Sequence, residues 1–417
     1  MQTSLTTTPE LLAPAGGRAQ LEAAVRFGAD AVYLAADRFG LRQRAANFAL
    51  DEVPAAVAHA HAAGVRVYVT LNALMGADDL QTLPAYLESL AAAGADAFIV
   101  SDLGALRLAQ RHAPQVELHV STQASVCNAE AARVWHELGA SRIVCAREMS
   151  VEDIARMRAD IPRELELEAF VHGAMCMAVS GRCLISAALT GRSGNKGHCT
   201  QPCRWSYALV EEQRPGEFFP VEEDVRGSYV MNAQDLNLLA HLDELAAAGI
   251  DSFKIEGRNK KAFYVASVVR AYRLVLDGMP AREVADELLA VSHRPYNTGF
   301  YFGDAQQSPD VDGYTTECLH AATVESCEPA GEGTFHIVAR CYNRFCEGDV
   351  LEALSPRPRI GRVPVRNLAW LPAPDDDGVQ PDRVPAAVAN RSAERYTFET
   401  DEPVEAGDFL RMRINVD

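Results

Sequence analysis

The sequence predicts an α/β protein: a (β/α)8, TIM-like barrel with a Cys-rich insertion, followed by a small antiparallel β-barrel domain. Three observations predict it. From residue 10 to about 278 an Ala-rich amphipathic helix, a Gly and a short apolar run recur in that order. The apolar runs are continuous rather than alternating, and beyond about Gly313 they give way to short β-rich runs split by Gly, Pro and Asp. Continuous apolar strands between helices belong to a parallel sheet covered on both faces, and eight such units over about 270 residues suit a closed barrel. A doubly wound open sheet is the competing arrangement.

In chain order, residues 1–9 form a polar, Thr-rich tail without the basic and apolar segments of a secretory signal, so a cytoplasmic protein is expected. Strands are expected at 11–15, 31–36, 67–72, 97–102, 117–122, 142–146, 165–171 and 252–256. Gly28, Gly64, Gly94, Gly139 and Gly249 stand where the intervening helices would end in a left-handed residue. A further segment, 229–232, leaves the strand count open by one.

The regular pattern breaks over 174–227, after the seventh strand. This insertion therefore emerges at the C-terminal face, where barrel enzymes keep their active sites. The barrel domain runs from 10 to 303 and includes the turn-like run 293–299; the β domain covers 304–417. Its strands are expected at 321–325, 335–341, 349–353 and 360–365, and 372–381 reads as a solvated loop.

With 39 Lys and Arg against 57 Asp and Glu, the 417-residue chain has a formal net charge of -18. That balance works against general nucleic-acid binding, because such affinity comes from cations neutralising phosphates; any RNA contact would have to be local. No apolar run reaches the roughly 18 residues of a membrane span, so no membrane partner is expected. Nothing in the sequence sets an oligomeric state.

Ten cysteines in a reducing compartment do not read as a disulfide framework. Cys176, Cys183, Cys199 and Cys203 form one group, separated by six, fifteen and three residues. Four thiolates hold either tetrahedral zinc or an iron-sulfur cluster. Zinc ribbons pair their cysteines closely at both ends, and only the second pair does so here, which on spacing modestly favours an iron-sulfur cluster, with zinc as the alternative. Packing alone is a poor account of these cysteines, since Gly181, Gly191, Gly194, Gly197 and Pro202 leave little core around them. From Ala174 to Arg204 there is no Asp or Glu, and Arg182, Arg192, Lys196 and Arg204 make a local positive patch where an anionic substrate would arrive.

Expected strand ends supply further candidates. Asn72, Gln123, Arg147 and Arg258, with Arg42 and Arg44 from the loop after the second strand, would line the mouth. Arginine pairs bidentately with carboxylate or phosphate, so several converging there suit an anionic substrate; each taken singly reads equally well as a surface ion pair. Lys254 and Glu256 alternate with Ile255 and share a face, inward if Ile255 packs on the helices. They are either a catalytic pair or a buried ion pair. His172, just before Cys176, is a candidate for proton handling or a hydrogen bond to a cluster sulfur, against the plainer reading of a packed histidine.

The run from Glu168 to Ser186, through Phe170, Gly173, Cys176, Gly181 and Cys183, resembles the signature of the collagenase-like peptidase family U32. Residues 12–16, 28–33, 195–205, 213–217, 229–232 and 254–258 are similar to the tRNA-hydroxylating branch of that family. The resemblance implies a barrel with a C-terminal β domain, 5-hydroxylation of the wobble uridine of tRNA, prephenate as co-substrate, and dependence on the iron-sulfur assembly machinery. Chain length and the β domain favour this branch over relatives acting on rRNA cytidine or ubiquinone. The linker between Trp205 and Gln213 is shorter than in that branch. Peptidase activity finds no support in the sequence: there is no Ser-His-Asp arrangement, no H-E-x-x-H and no G-x-S-x-G, and a metal-held thiol is not free to attack a carbonyl. The non-enzymatic alternative is an RNA-binding protein with a structural metal site.

Overall fold

A computed structural model describes residues 8–41, 46–175, 185–192, 194, 197–202, 205, 208–209, 219–220, 234–303, 314–331, 333–373 and 381–414. Eight parallel strands form its first part: β1 (Glu10–Ala15), β2 (Ala31–Leu34), β3 (Arg66–Leu71), β4 (Ala97–Val100), β5 (Glu117–Val120), β6 (Arg142–Val144), β7 (Glu166–Ala174) and β8 (Ser252–Ile255). Neighbours pair in chain order, and β8 pairs in parallel with both β1 and β7, so the barrel closes. All eight coincide with the expected strands, and the open doubly wound sheet is excluded.

The outer layer consists of α1 (Arg18–Arg26), α2 (Val53–Ala62), α3 (Ala77–Ala92), α4 (Leu103–His112), α5 (Ala129–Glu137) and α6 (Val151–Asp160), with α8 (Leu242–Ala247) and α9 (Ala262–Leu276). The short α7 (Ile185–Thr190) lies in the insertion. Asp102, Asn128 and Ser150 cap α4, α5 and α6 by accepting backbone N–H bonds from Ala105, Ala131 and Asp153. The five glycines expected after the helices all have φ between +74° and +100°. Leu11, Ala13, Val32, Leu34, Val67 and Val69 bury their side chains in the core between strands and helices.

One feature of the barrel was not expected. The nine-residue β7 outruns its barrel neighbours, and its end pairs antiparallel with a short strand, Asp235–Asn237, which in turn pairs with Tyr296–Asn297. The pairing satisfies the exposed backbone of β7 where the insertion leaves. The segment 229–232 lies outside the described residues.

From Cys318 to Arg413 the chain forms an eight-stranded antiparallel sheet with its own core around Ile337, Phe345, Tyr396 and Phe398. Its end strand Gly361–Pro364 reaches across to Arg395–Thr400, so the sheet coils toward a barrel. The four expected strands are present, the two-residue Val384–Pro385 forms the other edge, and three more, Arg366–Leu371, Arg395–Thr400 and Phe409–Arg413, complete the eight. These three begin with or contain arginines that mask their apolar pattern; Arg411, for example, is buried against Glu287 at 2.7 Å and Glu352 at 2.9 Å. The two parts are locked together by Phe27, Phe263 and Phe409 and by Arg26 bonded to Asp408 at 2.6 Å. Among the described residues no helix is long and apolar enough to cross a membrane.

Candidate active site at the barrel mouth

Strand alternation sends every second side chain into the lumen. TIM barrels fill that space mainly with branched apolar side chains. Here Leu12, Ala31, Tyr33, Tyr68, Ala97 and Ile99 share it with four charges: Glu10, Arg142, Glu168 and Lys254. Glu10 accepts from Arg142 at 2.7 Å, Ser252 Oγ at 2.8 Å, Tyr68 Oη at 2.7 Å, and Arg66. Arg142 continues to Glu166 at 2.6 Å and Glu168 at 3.2 Å. Glu168 Oε1 then accepts from Lys254 Nζ at 2.6 Å. The charges alternate in sign up the lumen and cancel, as ions held away from water require.

The titration behaviour follows from this stack. Burial pushes the Glu10 carboxyl up, but the Arg142 charge and the hydrogen bonds of Arg142 and Tyr68 outweigh it and lower the pKa to about 2. Burial lowers the Lys254 ammonium from its ordinary range, and the Glu168 carboxylate opposes that shift.

Two rings bring three cations together at the top of the stack. Lys254 Nζ lies 4.5 Å from the Tyr33 ring centroid and 5.4 Å from that of Phe170. Arg147 Cζ is 3.9 Å from Phe170, and Arg258 Cζ is 6.0 Å from Tyr33. Arg147 donates to the Ala174 carbonyl at 2.8 Å, at the root of the insertion, and Arg258 to Thr70 Oγ1 at 3.2 Å and the Leu41 carbonyl. The Tyr33 hydroxyl lies 3.1 Å from Glu256 Oε2 and 3.0 Å from the Ile255 carbonyl. Lys254 and Glu256 thus reach the same ring while Ile255 packs in the core outside the lumen, and the ion partner of Lys254 is Glu168 rather than Glu256.

Asn72 joins this rim by donating to Ser121 Oγ at 3.0 Å and accepting from the Leu41 N–H at 3.3 Å. Gln123 is half-buried in the turn after β5. The backbone here leaves no space for side chains at two glycines. A Cβ on Gly16 would stand 1.9 Å from the Arg258 carbonyl oxygen, and one on Gly173, at φ +102°, 2.6 Å from that of Glu256.

His172 does not share the lumen. A register shift between Lys254 and Ile255 turns it toward α9, where its ring packs 5.5 Å from Tyr272, 5.4 Å from Tyr296 and 6.0 Å from Tyr264. It is 1% exposed, and burial, with Lys260 and His293 nearby, lowers its pKa to about 3, so the imidazole is neutral at physiological pH.

Of the cysteine group only Cys199 lies within the described residues; Cys176, Cys183 and Cys203 lie outside them, as do Arg42, Arg44, Arg182, Lys196 and Arg204. Cys199 is half-buried, and its Sγ accepts the Gln201 backbone N–H at 3.3 Å, a contact that suits a metal-bound thiolate. The neighbouring Thr200 is held by the fully buried Ser186, whose Oγ donates to the Arg192 carbonyl at 2.6 Å and accepts from the Thr200 N–H at 3.1 Å. Arg192 itself is exposed. Outside this group Cys145, Cys318 and Cys341 are buried core residues, whereas Cys127 is exposed.

Glu168, Phe170, Tyr33 and Ser186 were not among the candidates read from the sequence. All four lie within the motifs quoted above, but nothing in linear spacing distinguishes a residue that seats another from one that merely packs.

The family model of peptidase family U32 matches residues 16–310. The tRNA hydroxylation protein P1 of Bacillus subtilis (strain 168) is 36% identical over 416 residues, covering 98% of this chain and 95% of that protein. The tRNA hydroxylation protein P of Escherichia coli (strain K12) is 32% identical over 432 residues, covering 88% and 94%. An Escherichia coli 23S rRNA 5-hydroxycytidine synthase is 38% identical over 270 residues, which is 65% of this chain and 39% of that protein. The family match covers most of the barrel, including the cysteine-bearing insertion, and the protein belongs to peptidase family U32.

Proposed function

We propose that this protein is a cytoplasmic tRNA-modifying enzyme that hydroxylates C5 of the wobble uridine, with prephenate as co-substrate. The observation that carries the reading is the 36% identity to a tRNA hydroxylation protein over 98% of the chain. The mouth supports it chemically, because Arg147, Arg258 and Lys254 gather positive charge around Tyr33 and Phe170 in a protein of net charge -18. Both proposed substrates are anions. In this reading Arg147 and Arg258, with Arg42, Arg44, Asn72 and Gln123, bind the carboxylates, Lys254 supplies a cation at the floor, and Glu256 accepts a proton beside the Tyr33 hydroxyl. Arg182, Arg192, Lys196 and Arg204 contact the RNA backbone, and His172 supports the root of the insertion by packing.

Cys176, Cys183, Cys199 and Cys203 would hold a [4Fe-4S] cluster delivered by the iron-sulfur assembly machinery. The half-buried Cys199 thiol with its backbone N–H donor fits that group. When bound, such a cluster supplies electron transfer or Lewis-acid binding at the mouth. Zinc is the competing occupant, and iron, sulfide and zinc analysis of anaerobically purified protein separates the two; one equivalent of zinc without sulfide refutes the cluster.

The activity is tested by expressing the chain in a bacterial strain whose tRNA lacks 5-hydroxyuridine derivatives. Nucleoside mass spectrometry is expected to show them restored, and their continued absence with soluble, iron-loaded protein overturns the reading.

A further inference from the structure

We propose that Tyr314, Lys260 and Arg294 form a base-stacking platform on the rim of the barrel mouth, which receives an unpaired nucleobase of an RNA loop. The inference rests on the proposed role in tRNA modification. Tyr314 is 43% exposed, and Lys260 Nζ and Arg294 Cζ lie 4.5 Å and 5.0 Å from its ring centroid. Lys260 is itself fixed, 5.1 Å from the buried Tyr264 ring and bonded to the Ser292 carbonyl at 2.9 Å.

The topology puts these residues beside the site. Lys260 sits in the loop between β8 and α9, two residues beyond Arg258. Arg294 lies two residues before Tyr296–Asn297, the segment that pairs with Asp235–Asn237, which pairs in turn with the end of β7. The platform therefore borders the point where the cysteine-bearing insertion leaves the barrel.

Charge distribution points the same way. Residues 257–276 and 288–303 contain no Asp or Glu, as is true of 174–204, although the chain has 57 acids. An exposed aromatic ring beside a cation is the arrangement that binds single-stranded RNA: the ring stacks on any base and the half-buried Lys260 takes an adjacent phosphate, while Arg294, 4% exposed, backs the ring from the protein side. It does not suit a regular duplex, whose bases are already stacked.

The test uses anaerobically purified, cluster-loaded full-length protein and a fluorescent anticodon stem-loop RNA, with affinity read by anisotropy across a salt series. Tyr314→Ala is expected to weaken binding roughly 5- to 150-fold, the equivalent of one base stack, and Tyr314→Phe to bind within about twofold of wild type. Lys260→Met is expected to reduce the slope of log affinity against log salt by about 0.7, one single-strand phosphate contact. Replacing the stacked nucleotide by an abasic one is expected to weaken wild type but not Tyr314→Ala. If wild type binds the loop and Tyr314→Ala binds it equally well, the platform is refuted while the tRNA reading stands. Displacement of the loop by polyglutamate of equal charge as effectively as by unlabelled RNA also refutes it. If wild type binds no loop RNA, both readings fall.

Discussion

Replacing Arg142 by Met tests whether the charged lumen is a single electrostatic unit. The guanidinium is 1% exposed and bonds Glu10 at 2.7 Å and Glu168 at 3.2 Å, whose side chains are 8% and 0% exposed. Methionine keeps much of the side-chain volume but leaves Glu10 with Arg66, Tyr68 and Ser252, and Glu168 with Lys254. Removing one member of a buried ionic network costs about 3–5 kcal/mol, because the remaining charges stay desolvated. With an unfolding entropy of about 2.1 cal/mol/K per residue over 417 residues, that corresponds to a melting temperature lowered by roughly 3–6 °C. The deficit is expected to depend on pH. The folded Glu10 pKa of about 2 lies below its ordinary value of 4.5, so its contribution to stability is full above about 4.5 and is lost as pH falls toward 2. The variant lacks the main attraction behind that shift, so the difference from wild type is widest at neutral pH and narrows below pH 4.5. Urea unfolding followed by far-ultraviolet circular dichroism at pH 7 and pH 4 measures both quantities. A deficit below about 1 kcal/mol, or one equal at the two pH values, refutes the reasoning.

Other expectations follow from the same geometry. Under the proposed cluster assignment, Cys199→Ala is expected to lose iron and sulfide after anaerobic purification, whereas Cys127→Ala leaves both unchanged. The His172 imidazole, with its pKa lowered to about 3 by burial, is expected to show no titration between pH 5 and 8 in NMR spectra of the folded protein. A histidine whose folded pKa is depressed loses stability as pH falls below its ordinary value of 6.5, so His172→Phe is expected to flatten the decline in stability between pH 6.5 and pH 4. Gly173→Ala combines a left-handed backbone with a Cβ 2.6 Å from the Glu256 carbonyl oxygen, and is expected to cost at least about 2 kcal/mol in urea unfolding.

The barrel was legible because its signals are local and repeated. Eight apolar runs, and five glycines whose φ angles are all positive, recur at the βα period, and each reports a strand or helix end without reference to distant residues. The β domain was less so: strands such as Phe409–Arg413 carry Arg411, whose partners Glu287 and Glu352 are remote in sequence. A buried ion pair looks like surface charge until both partners are placed.

The same division holds at the site. By itself the sequence determined the cysteine grouping, the strand ends that carry Arg147 and Arg258, and the inward alternation of Lys254 and Glu256, because spacing and period set these directly. Only the tertiary structure decided that Lys254 answers to Glu168 rather than Glu256, that Tyr33 and Phe170 gather the three cations, and that His172 faces α9. Each of these depends on which strands become neighbours when the barrel closes and on one register shift beside β7, and a linear pattern encodes neither.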